Sequence, residues 1–184
     1  MAAQSFGMGC MMSDSKTGTM DEQRYISNVK QISFSQQCVY SKLSDLNNLA
    51  VVRERLKNAE TRAKMQERVG ESELEELSER LKDMTFDADS VTCNVPPVGN
   101  VALRIVERDE PKCIKFESVN SPVPAVLWIQ LLPVTDTTCK MRLTLGAQLN
   151  MFLKGMLDQS LREGIEKLAD VLASIPYDGT EPRE

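Results

Sequence analysis

Cys139, Met141, Leu143, Leu145 and Ala147 alternate with Lys140, Arg142 and Thr144, and a long amphipathic stretch opens almost directly after them at Asn150. This junction constrains the fold more than any other feature of the chain. Alternation with period two marks a strand with one apolar and one wetted face. Phe152, Met156, Leu161, Ile165, Leu168, Leu172 and Ile175 then recur at helical steps, with Glu163, Glu166, Lys167 and Asp170 on the opposite side. Asn150 serves as N-cap and Pro176 as stop, which predicts a helix of roughly 36 Å at 1.5 Å per residue. Neither element can bury its apolar side alone. A helix laid across the concave face of a bent antiparallel sheet satisfies both.

The segments upstream supply that sheet. Tyr25 to Phe34 reads as a first strand. From Met84 onward, short alternating runs are separated by turn residues: Asp87 to Ser90, Pro96 to Asn100, Asp109 to Pro111, Pro122 to Pro124 and Thr135 to Thr138. Ala125 to Leu132 is apolar at nearly every position, so its pattern does not say which side faces inward. Between the first strand and the rest lie helical segments. Ser35 caps a short helix. Asp45 caps a second, whose stripe of Leu46, Leu49, Val52, Leu56, Ala59 and Ala63 reads as continuous. Gly70 stops it, and Ser72 with Glu75 matches a capping box for a further helix through Leu74, Leu77 and Leu81.

Three compositional facts exclude whole classes of function. The chain has no histidine, which removes His-based acid–base catalysis, the usual Ser–His and Cys–His pairs and most zinc sites. Its net charge of −5 gives no bulk attraction to nucleic acid or anionic membrane. No apolar run is long enough to span a bilayer. The basic residues from Arg53 to Arg68 are followed by the acidic run Glu71 to Glu79, a mixture that suits solvated helix faces rather than an RNA surface. The five cysteines show no paired spacing and, without an export signal, read as reduced thiols of a cytoplasmic protein. Residues 1–22 read as a disordered leader and 178–184 as a disordered tail, leaving one domain at 23–177.

The element order, strand, helices, strands and long helix, resembles that of the START-like, or SRPBCC, superfamily, and in particular its small bacterial members. The run Val39-Tyr40-Ser41-Lys42-Leu43-Ser44-Asp45-Leu46 is similar to the family's corner between two helices. Val101 to Glu107 with Lys112 to Phe116 is similar to its central hairpin, and Leu161 to Tyr177 to its terminal helix. The resemblance implies an α+β helix-grip fold: a curved antiparallel sheet of about seven strands around a long C-terminal helix, with two or more helices between strands 1 and 2. It also implies a cavity between helix and sheet for a lipid, isoprenoid or polyketide-like molecule. Residues 57–82 look longer than the family's connection and would lie near the cavity mouth.

On that implication the expected ligand-binding residues are Phe116, Trp128, Met141, Leu143, Phe152, Gly155 and Met156. The competing reading is that the large side chains among them fill a solid core. Gly155 and Gly164 sit inside a helix at a cost of roughly 1 kcal/mol each against alanine, which asks for a reason. A polyketide cyclase-like enzyme would need an ionisable group in the cavity; Glu117, Arg104, Arg142, Tyr40 and Lys154 are the candidates, the first three alternating outward. A third reading takes the doubly apolar Ala125 to Leu132 strand as the interface of a homodimer. The reading adopted is an apolar small-molecule ligand, with no catalytic residue assigned, no metal, no cofactor, no nucleic acid and no transmembrane segment.

Overall fold

Eight strands of one sheet wrap against a single 24-residue helix. The computed structural model describes residues 21–95, 98–175 and 177. The expected leader falls outside these residues except for Asp21 and Glu22, and the tail at 178–184, the helix-stopping Pro176 and the Pro96-Pro97 pair lie wholly outside them.

The first strand is divided in two, β1 (Asp21–Ile26) and β2 (Lys30–Ile32). Both pair antiparallel with β8 (Thr138–Leu149). Ser27 bridges the gap: its N–H donates to Leu143 O at 2.9 Å, and Leu143 N–H donates to Ser27 Oγ at 3.0 Å, so pairing survives the interruption. The remaining strands are β3 (Thr85–Phe86), β4 (Ser90–Val95), β5 (Gly99–Asp109), β6 (Cys113–Val119) and β7 (Ala125–Thr135). Spatial order is β1-β8-β7-β6-β5-β4-β3, a meander from β3 to β8 that β1 extends at its β8 edge.

Four helices stand between β2 and β3: α1 (Gln36–Leu43), α2 (Asn47–Arg55), α3 (Ala59–Val69) and α4 (Glu71–Lys82). Two expected caps are present. Cys38 N–H donates to Ser35 Oγ at 3.2 Å, and Asn47 N–H to Asp45 Oδ1 at 3.0 Å. The stripe from Leu46 to Ala63 is not one helix. Asn58 breaks it and caps α3, accepting from Glu60 N–H at 2.9 Å. The expected capping box is also absent. Gly70, at φ 88°, ends α3 and starts α4 in one residue, which draws Ser72 inside the helix. The left-handed φ is why glycine suits this corner.

Helix α5 (Met151–Ser174) is capped by Asn150, whose Oδ1 accepts from Leu153 N–H at 2.8 Å. It packs on β8, β1 and β2. The face it buries is rotated from the one the sequence suggested. The ridge Leu153, Leu157, Leu161, Ile165, Ala169 and Leu172 meets the core, while Met151 and Phe152 point away from it.

The register of β7 on β8 divides the sheet's two faces. Leu127, Ile129 and Leu131 lie opposite Leu145, Leu143 and Met141 and face the core. Trp128 lies opposite Thr144 on the other face, where it packs with Cys113 and Val126. The outer side of β7 is thus apolar because Trp128 has its own cluster, and Trp128 is buried within the chain. Cys38, Cys93 and Cys139 are free thiols, but Cys113 is disulfide-bonded, unlike the uniformly reduced set expected; sequence spacing carries no sign of a bond made by tertiary position.

Candidate functional site

A cleft of about 700 Å³ opens between the C-terminal half of α5 and the α3–α4 hairpin. Its first wall is one face of α5. Gly164, Lys167, Leu168, Val171, Leu172 and Ile175 recur at three- and four-residue steps and so share that face. The opposite wall comes from Met65 of α3, and Glu73, Glu76 and Leu81 of α4. The floor is Leu49 of α2, Phe86 of β3, Met84 just before it and Gln31 of β2.

Gly164 has a local consequence here. A Cβ built on it would meet no atom within 4 Å, so no neighbour in the protein demands the glycine. It lines the cleft and leaves open space. Gly155 likewise has nothing within 4 Å but is not among the lining residues.

Polar contacts hold the walls in place. Arg53 Nη1 donates to Met84 O at 2.9 Å, and its guanidinium lies 5.9 Å from the Phe86 ring centroid, pinning the floor to α2. Lys30 of β2 pairs with both Glu166 and Asp170 of α5, the latter at 2.7 Å. Asn28 N–H donates to Glu166 at 2.9 Å. Burial opposes the charge on Lys30, but the hydrogen bonds it donates to Asp170 and Glu166 outweigh it and raise the ammonium's pKa. Glu166 is held below its usual value because Lys30 and Asn28 outweigh its own partial burial. Across the cleft, Lys167 pairs with Glu76 at 3.0 Å.

The hairpin has a core of its own. Leu56, Met65 and Leu74 form a cluster separate from the main core, with Leu81 packed against it. Met65 and Leu81 also line the cleft, so the space lies between the two cores.

None of the seven expected ligand-binding residues lines this cleft. Phe116, Met141 and Leu143 are brought together, and all three are packed in the main core. Trp128 is on the outer face of the sheet. Phe152 and Met156 are 73% and 48% exposed at the start of α5, beside the exposed Gly155. The proton-carrier candidates are also elsewhere. Arg104 pairs in register with Glu117 on the outer face, Arg142 donates to Gln130 Oε1 at 2.8 Å, the Tyr40 hydroxyl is buried without a hydrogen bond, and Lys154 is exposed. The charged groups that do reach the cleft are Glu73, Glu76, Lys167 and Asp170. The usable sequence signal was Gly164 together with the long 57–82 connection.

Among the described residues no cluster of metal-ligating side chains occurs, and no helix is long and apolar enough to cross a membrane. No protein-family model matches the chain, and no curated protein matches it. Solved structures do. Norcoclaurine synthase from Thalictrum flavum aligns with a TM-score of 0.55 at 9% identity, over 89% of this chain and 94% of that one. The same protein in complex with dopamine and hydroxybenzaldehyde gives 0.54 at 10% identity, over 85% and 91%. XoxI from Bacillus cereus gives 0.50 at 12% identity, over 84% and 94%. The chain has the START-like helix-grip fold.

Proposed function

We propose that this protein binds or carries an apolar small molecule of the lipid, isoprenoid or polyketide-like class, seated in the cleft between α5 and the α3–α4 hairpin. The observation that carries the reading is the cleft itself: about 700 Å³, within the usual range for small-molecule sites, and walled largely by Leu, Met, Val, Ile and Phe side chains. The expected class of ligand is kept, and its seat moves from the inner sheet to the helical connection. Affinity would come from apolar area, at about 25 cal/mol per Å² before association costs. Glu76, Lys167 and Asp170 sit in ion pairs between elements, which suits clamping the walls better than proton transfer. The dopamine complex of norcoclaurine synthase supports the reading only by showing that this fold can hold a small organic molecule in another protein.

Gly164 provides a clean test. Replacing it with Phe fills the cleft without striking any neighbour near the Cβ. The neutral fluorophore N-phenyl-1-naphthylamine should brighten with the wild-type chain. Gly164→Phe should weaken its binding at least tenfold while melting cooperatively. Unchanged binding in a folded Gly164→Phe variant would sink the proposal. Native mass spectrometry followed by organic extraction would then identify any co-purifying molecule.

A further inference from the structure

At the far end of the molecule from the hairpin turns of β3–β4, β5–β6 and β7–β8, the start of α5 meets the β6–β7 loop. Gln148 N–H donates to Pro124 O at 2.9 Å there. This end carries the most exposed apolar side chains among the described residues. Met151 is 92% exposed, Phe152 73% and Met156 48%. They do not belong to the ridge that α5 buries.

The charge pattern at this end is unlike the rest of the chain. Residues 98–102, 119–127 and 147–157 contain no Asp or Glu, and their one charged residue is Lys154, although the protein is net −5. At the same end of the sheet lie Asn100, Asn120 and Asn150, all exposed. The bordering acidic residues are Asp21 and Glu22 at the start of β1, and Asp158 on the next turn of α5. Glu22 and Asp158 are each paired with an arginine, Arg24 at 3.6 Å and Arg162 at 3.0 Å.

We infer that this end docks on the surface of a lipid bilayer, with Met151, Phe152 and Met156 entering the boundary between head groups and acyl chains. Three side chains offer a few hundred Å², short of the roughly 800 Å² per partner that a stable protein pair buries. A bilayer asks for no matching shape, only for apolar side chains that project and uncharged polar neighbours at head-group depth. A single lysine adds little to the attraction, so apolar insertion dominates and anionic lipid strengthens binding only slightly. The inference uses none of the cleft residues and stands independently of the ligand reading.

Vesicle flotation of the full chain tests it. The protein should float with phosphatidylcholine vesicles, and a few-fold better at most when phosphatidylserine is added. Met151→Ser combined with Phe152→Ser should cut the bound fraction tenfold or more. Val134→Ser, an exposed valine at the opposite end, should leave it unchanged. All these positions are exposed, and thermal unfolding will confirm that the variants are folded. Failure of the wild-type chain to float on either vesicle overturns the inference, as does equal flotation of the double variant. Light scattering that shows a dimer split by the double variant also overturns it, and assigns the patch to a second copy.

Discussion

Lys167 Nζ of α5 lies 3.0 Å from Glu76 Oε2 of α4, so the two walls of the cleft are tied to each other by side chains that both line it. Both partners are substantially solvated, and a pair of this kind contributes about 0–1 kcal/mol. Its effect on stability is small, but its position is across the gap between the two walls. Lys167→Met should leave the unfolding midpoint nearly unchanged and speed release of N-phenyl-1-naphthylamine in stopped-flow. Salt should speed wild-type release and not that of the variant. Equal release rates would mean that the pair does not latch the hairpin.

The core and the start of α5 should respond oppositely to truncation. Leu143 is fully buried between Ile129 and the helix side of the sheet, and Leu143→Ala should cost about 2–5 kcal/mol in urea unfolding. Phe152→Ala removes a larger side chain, yet should shift stability by no more than about 0.5 kcal/mol, because Phe152 buries little in the folded chain. A large loss on Phe152→Ala would mean that α5 packs differently at its first turn.

The link between β2 and α5 should show in the pH dependence of stability. Glu166 has a folded pKa below its ordinary 4.5, so its contribution is fully present above 4.5 and is lost as pH falls through the lower folded value. Lys30 has a folded pKa above 10.5, so its contribution is full below 10.5 and is lost as pH rises through the higher value. Lys30→Met should therefore lower stability by about 1 kcal/mol across neutral pH. The gap to wild type should close in acid and again in strong base. Thermal melts from about pH 3 to 11 would measure it, and a gap independent of pH would refute the assignment.

Local chemistry was the legible part of this fold. Ser35, Asp45 and Asn150 declare helix starts because an N-cap is satisfied within three residues. The alternation of β8 declares its inward face for the same reason. Asn58 was hidden because the apolar stripe runs through it, and only the backbone direction changes there. Trp128 was misplaced with Leu143 because β7 is apolar at nearly every step. Its side is set by register, which places Trp128 opposite Thr144 and Ile129 opposite Leu143. The cleft was out of reach for a related reason: it depends on where the α3–α4 hairpin comes to rest against α5, and no local pattern encodes that distance.

The separate cluster of Leu56, Met65, Leu74 and Leu81 has a consequence for how such a chain changes over time. A segment that satisfies its own apolar residues can be lengthened, shortened or exchanged with little disturbance to the sheet it leans on. Variation in that cassette would reshape the cleft while the grip of α5 on β8 is inherited unchanged. A chimaera carrying a different hairpin between Lys57 and Lys82 is the unit of redesign that this architecture offers.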